Sequence, residues 1–256
     1  DDSERYGTTT LHKRHGIPVA LNTGDLLLGE GYRLIADSGL EPHRIARMLS
    51  IASLGHKNLC LGQGEELIWM RHPVPLSMEK VLHIFRGKTA PAFEVALNLG
   101  AVAAGATDDV CRVLSRYSEA LGIAYQIRDD IEDFHEKGSD SDIDAMRPSL
   151  LLALALENAD AETRLKLTSS RRETWQENRD ALRKLIIDLK LEEKAWILFA
   201  RYRDDTLRAL RPLRNQDLMS LLFRVAYKIL GSTTGFSHPG ETGTDETRAA
   251  AQGQGG

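Results

Sequence analysis

The sequence predicts an all-α fold. Aromatic residues make up only 6% of the chain, β-branched runs are scarce, and apolar residues recur at intervals of three and four through most of its length. That period gathers apolar side chains on one face of a helix. The 256 residues suit one large domain or two small ones, and a 42% hydrophobic content suffices for a sizeable core, which excludes chain-wide disorder. Lys and Arg number 33 against 37 Asp and Glu, so the formal charge of −4 leaves no basic field to hold nucleic acid.

The spacing predicts a first helix over residues 17–36, carrying Val19, Leu26, Leu27 and Ile35 and stopping near Ser38-Gly39. Pro42 suits the first turn of a second helix, running to about residue 61. Further helices are expected over 77–86, 90–104, 108–134 and 148–157, with four more short stretches completing the bundle. Within 90–104, small residues recur every four positions at Ala92, Ala96, Gly100 and Ala104, a face expected to admit a neighbouring backbone. In the next helix Val110, Leu114, Tyr117, Leu121 and Ala124 mark the buried face. Thr107 is its expected N-cap, and Asp108 and Asp109 suit the dipole of its first turn.

Residues 231–256 hold almost no large apolar side chain and are expected to form a disordered tail after a domain spanning 1–230. Cys60 and Cys111 make no disulfide framework and no zinc-ligand spacing, and read as small buried hydrophobes in a reducing cytoplasm. The longest purely apolar run, residues 150–156, is far short of the ~20 residues a membrane span needs.

The segment with the most chemistry runs Tyr125-Gln126-Ile127-Arg128-Asp129-Asp130-Ile131-Glu132-Asp133, near the end of a long helix. At about 100° per residue, Asp129 and Asp133 lie about 40° apart, with Asp130 and Gln126 near the same face. Crowded carboxylates repel one another, so a cation is expected to compensate them. Hard oxygen ligands suit Mg²⁺, which takes one or two protein carboxylates together with phosphate oxygens and water. The ordinary fate of an acidic run is a solvated helix face, and the flanks shift that balance. Gly87-Lys88-Thr89-Ala90 sets a cation and a hydroxyl at a junction between two helices, beside the free amides of a helix N-terminus, which suits a diphosphate. His12 and Asp25 are read as structural.

Taken in order, Tyr6-Gly7-x-x-Thr10-x-His12, Gly16-Ile17-Pro18-x-Ala20-x-Asn22-x-Gly24-Asp25, Gly62-Gln63, Gly87-Lys88-Thr89-Ala90 and Gln126-x-x-Asp129-Asp130-x-x-Asp133 resemble the trans-isoprenyl diphosphate synthases, the polyprenyl synthetase family. The resemblance implies an isoprenoid synthase-type helical bundle around a central cavity, usually homodimeric. It also implies a prenyltransferase that elongates an allylic diphosphate with isopentenyl diphosphate, using Mg²⁺ held by two facing aspartate-rich motifs. Asp129, Asp130 and Asp133 match the second motif. Lys88, Thr89 and Gln126 match positions that contact the allylic substrate or its diphosphate, and Arg5 matches a basic position after the first motif.

By the same resemblance, Asp1 and Asp2 are metal ligands left from the first motif. Either a loop between them and Arg5 is missing, or Asp1 is the last aspartate of a truncated motif. Tyr6 stands where the family has a second arginine, and Arg147, in Arg147-Pro148-Ser149-Leu150, where it has a substrate-binding lysine. The family's isopentenyl diphosphate site and chain-length residues lie on helices before the first motif, so the chain reads as N-terminally truncated. Two other functions compete: a non-catalytic relative tuning a partner subunit, and a class I terpene cyclase. The cyclase needs a downstream Asn/Asp-x-x-Ser/Thr-x-x-x-Glu pattern, which residues 178–180 do not fit.

Overall fold

The structure, a computed structural model, describes residues 3–5, 7–135, 147–169 and 175–231. The expected tail, apart from Gly231, and Asp1 and Asp2, expected as metal ligands, fall outside the described residues. A short antiparallel hairpin, β1 (Glu4–Arg5) and β2 (Thr8–Thr9), precedes the helices. The 3.6-residue period could not reveal it; Gly7, at φ +72°, makes its turn possible. Eleven helices follow among the described residues: α1 (Leu11–His15), α2 (Ile17–Ala36), α3 (Pro42–Arg71), α4 (Met78–Lys88), α5 (Ala90–Ala103), α6 (Asp108–His135), α7 (Leu150–Asn158), α8 (Ala161–Ser169), α9 (Trp175–Asp188), α10 (Leu191–Ala209) and α11 (Gln216–Leu230).

Local chemistry sets most of the boundaries. Ser77 caps α4 by accepting from the Lys80 amide at 3.1 Å, and Asn215 caps α11 through the Leu218 amide at 2.9 Å. Pro91 ends α4, because in a continuous helix it would lack the amide owed to the Gly87 carbonyl and would crowd that oxygen. The helix therefore breaks at Thr89 and restarts as α5. α3 runs a further ten residues past the expected end at Leu61, because Gly62 serves as a packing contact and does not terminate the helix.

α6 is the axis of the bundle. Its expected apolar stripe is buried except for the half-buried Val110, and α10, α5, α4, α7 and α11 surround it. α7 is buried at every position from Leu150 to Leu156, so the apolar run is a core helix. No helix among the described residues is long and apolar enough to cross a membrane.

Three packing expectations are corrected. α2 contributes no buried residue: of its four expected apolar positions Val19, Leu26 and Leu27 are exposed, and Ile35 packs against a cluster of Met48, Val102 and Cys111. The small residues Ala92, Ala96, Gly100 and Ala104 face outward, and a Cβ on Gly100 would meet nothing within 4 Å. Cys60 is exposed, while Cys111 is buried as expected.

Candidate active site

Two backbone-to-backbone contacts build the site. A Cβ on Gly62 of α3 would stand 2.2 Å from the Gly87 carbonyl carbon and 2.4 Å from the Lys88 nitrogen. Only glycine lets α3 and α4 approach so closely. On α6, a Cβ on Gly122 would stand 2.6 Å from the Ala90 Cα, so the first residue of α5 rests on the α6 backbone. The α4–α5 break, bearing Lys88 and Thr89, is thus clamped between α3 and α6.

The α3 clamp gives Lys88 its surroundings. Glu66 lies one turn beyond Gly62 on the same stripe. Its carboxylate is 3.3 Å from Lys88 Nζ and accepts from Gln63 Nε2 at 3.1 Å. Both partners are largely buried, with side-chain exposures of 16% for Lys88 and 8% for Glu66. Lys88 Nζ also lies 5.5 Å from the Phe85 ring centroid, a cation–π contact. Thr89 is half-buried at the N-cap position of α5, and its side chain does not cap that helix.

The α6 clamp orients the acidic segment. Because Gly122 faces Ala90, residues near its angle on the helix face the α4–α5 break. Gln126, Asp129 and Asp133 fall within about 40° of Gly122, with Asp129 about 10 Å further along the axis. Gln126 is buried, Asp133 half-buried and Asp129 exposed. Asp130 departs from this stripe. It is 4% exposed, and its Oδ2 accepts from the Leu150 amide at 2.5 Å, at the start of α7. Arg128 points elsewhere, donating to the Ile229 carbonyl and pairing with Glu132 at 3.1 Å.

The sequence-predicted residues therefore fall into several places. Lys88 and Thr89 sit at the clamped junction, and Gln126, Asp129 and Asp133 lie on the face of α6 that carries Gly122, the aspartates further along the axis. Asp130 and Arg147 belong to the start of α7, where Arg147 is half-buried. Arg5 is exposed in β1. Glu66 escaped the sequence reading; its signal was the four-residue step from Gly62, which puts a carboxylate on the stripe where two backbones meet. Among the described residues no set of three or more His, Cys, Asp or Glu side chains could hold a metal ion. Mg²⁺ needs only one or two carboxylates beside phosphate oxygens and water, and Asp129 and Asp133, one turn apart, fit that demand.

Two open surface grooves lie nearby. One of about 400 Å³ runs over the outer side of the α3–α4–α5 contact, lined by residues including Asn58, Glu65, His83 and Arg116, and one of about 370 Å³ lies between α6 and α10. Lys88, Gln126 and the aspartates line neither.

The described residues thus form an all-α bundle in which a largely buried lysine sits at a helix junction packed against a carboxylate-bearing helix. The polyprenyl synthetase family profile matches residues 1–187, and the chain belongs to that family. It is 27% identical over 175 residues to the short chain isoprenyl diphosphate synthase of Methanocaldococcus jannaschii, covering 65% of this chain and 52% of that protein. It is 31% identical over 132 residues to the geranylgeranyl diphosphate synthase of Sulfolobus acidocaldarius, covering 51% and 40%. The chain thus spans about half the length of the curated relatives it matches.

Among solved structures, the geranylgeranyl pyrophosphate synthetase of Pyrococcus horikoshii superposes with a TM-score of 0.76 at 25% identity, over 90% of this chain and 72% of that one. The polyprenyl synthase of Caulobacter crescentus, complexed with calcium and isoprenyl diphosphate, gives a TM-score of 0.75 at 25% identity, over 89% and 70%. These relatives favour neither the cyclase nor the non-catalytic reading.

Proposed function

We propose that this chain forms part of a Mg²⁺-dependent prenyltransferase, which condenses isopentenyl diphosphate with an allylic diphosphate through an allylic carbocation to make a longer isoprenyl diphosphate. The observation that carries the reading is the α6 stripe of Gln126, Asp129 and Asp133, which Gly122 turns toward the clamped Lys88–Thr89 junction. A likeness to a polyprenyl synthase complexed with calcium and isoprenyl diphosphate supports both the divalent cation and the ligand class.

Lys88 contacts the allylic diphosphate and offsets the negative charge that grows on it as the carbon–oxygen bond breaks. Thr89 and Gln126 orient the substrate beside it, and Arg147 and Arg5 add positive charge around the diphosphate. Asp129 and Asp133 would hold Mg²⁺, with Asp1 and Asp2 as the remnant of the family's other aspartate-rich motif. Mg²⁺ held there would supply the positive charge that favours departure of the diphosphate. The double bond of isopentenyl diphosphate then attacks the allylic cation, and loss of a proton restores an allylic product. The buried environment of Lys88 strengthens its contact with the substrate, since screening by water is weak there.

We place the protein in the cytoplasm, where a reducing environment suits its free thiols. We also read it as a homodimer, whose second copy covers the apolar surface of α2.

The test is a product assay on the complete protein with isopentenyl diphosphate and allylic partners of increasing length. Asp129→Ala should reduce Mg²⁺-dependent turnover by about 100-fold or more. Lys88→Ala should raise the KM for the allylic diphosphate by about tenfold, the worth of one charge-assisted hydrogen bond. Unchanged turnover in Asp129→Ala would remove the α6 motif from the mechanism.

A further inference from the structure

We infer that Asp130, in the middle of the acidic motif, is a positioning residue that holds the start of α7 and, through it, Arg147, leaving Asp129 and Asp133 as the motif's side chains for the metal. The inference rests on the diphosphate reading of the site. Pro148, Ser149 and Leu150 are all buried, so water does not reach the first amides of α7. A buried helix N-terminus must find protein acceptors for its unpaired N–H groups. Two are present. Ser149 Oγ accepts from the Leu152 amide at 3.3 Å, and Asp130 Oδ2 accepts from the Leu150 amide at 2.5 Å.

A carboxylate suits that place, because the helix dipole and the amide both favour negative charge. Its direction argues against metal binding. Asp130 stands about 100° around α6 from Asp129, and it is 4% exposed. The consequence reaches substrate binding. Arg147 is three residues before Leu150, so its backbone lies within about 10 Å of the anchored amide. The anchor therefore sets where a substrate-binding cation stands relative to the α6 stripe.

Two kinds of measurement test this on the full chain. Metal-free thermal melts and hydrogen exchange report the anchor. Asp130→Asn, whose amide oxygen still accepts a hydrogen bond, should melt near the wild type. Asp130→Ala should lower Tm by roughly 5 °C and lose amide protection at the start of α7. Titration with Mg²⁺ and inorganic pyrophosphate reports the ligands. Asp130→Asn should keep the Mg²⁺ midpoint within about twofold, whereas Asp129→Asn should move it by about tenfold or more.

Asp130→Ala should also weaken pyrophosphate binding, and should weaken it no further when Arg147 is already Ala. A tenfold shift in the Mg²⁺ midpoint of Asp130→Asn with an unaltered melt overturns the inference. So does an Asp130→Ala effect that adds fully to that of Arg147→Ala, or an Asp130→Ala protein that melts like the wild type. If the wild-type chain binds no pyrophosphate with Mg²⁺, the prenyltransferase reading and the link to Arg147 fail together, while the metal-free melts still decide the anchor.

Discussion

Glu66 and Lys88 form an ion pair that is dry enough to matter. Removing one partner of a buried pair strands the other charge, at a cost of about 3–5 kcal/mol. Glu66→Ala should therefore destabilise the chain by about that amount in urea unfolding, although the residue touches no predicted ligand. Replacing both partners with apolar side chains of similar volume, as in Glu66→Leu with Lys88→Met, should recover most of the lost stability. It should not recover pyrophosphate binding. Stability and binding would then separate at one pair of side chains, showing that the pair is kept for its cation. Tyr117 is a purely structural contrast: burial pushes its phenol up, and its hydroxyl donates to the Leu222 carbonyl at 2.8 Å, fastening α11 to α6.

Between elements, the site depends on glycines at crossings. Gly62→Ala would force α3 and α4 apart by the width of a methyl group, because the atoms it meets are backbone. A loss of at least ~1–3 kcal/mol is expected, together with weaker pyrophosphate binding as Lys88 moves, both readable by denaturation and calorimetry. The same α3–α4 contact carries a pH-dependent tie. The Lys80 hydrogen bond at 2.6 Å, helped by the charges of Lys80 and His83 and opposed by burial, holds the Glu65 carboxyl below its ordinary value of 4.5. A depressed carboxyl stabilises the fold above the unfolded value, and that contribution is lost as pH falls through the folded one. The Tm difference between wild type and Glu65→Gln should thus be full above pH 4.5 and vanish in stronger acid. It should be small throughout, because a half-exposed pair is worth at most ~1 kcal/mol.

At the scale of the whole molecule, one flank is unfinished. α2 is twenty residues long and buries none of them, leaving Ile17, Leu21, Leu26 and Leu27 in solvent, while Leu61 and Leu67 of α3 are also exposed. Exposed apolar side chains in that number suit a covering partner. Sedimentation should show the protein self-associated, and Leu27→Asp should shift it toward monomer without changing its helical circular dichroism. A wild-type chain that sediments as a monomer would remove the dimer from the reading.

Periodicity and punctuation in the sequence were enough to determine the helical class, most helix starts and the residues around Lys88 and Asp129. Pro42, Ser77 and Pro91 act locally, through a missing amide or a side-chain acceptor, so their effects survive without knowledge of the fold. Only the tertiary structure decided which glycines are contacts and which carboxylates are tied to a distant backbone amide. The second helix is expected to end near Leu61 until α4 is laid against Gly62, and Ala92 and Gly100 read as a packing stripe until they prove to face outward. Asp130 reads as one of three ligands from its spacing, whereas its hydrogen bond from the Leu150 amide at the buried start of α7 is visible only in the fold. The reason is the same each time. Helical spacing states which residues share a face, but which partner covers that face depends on segments far away in the chain.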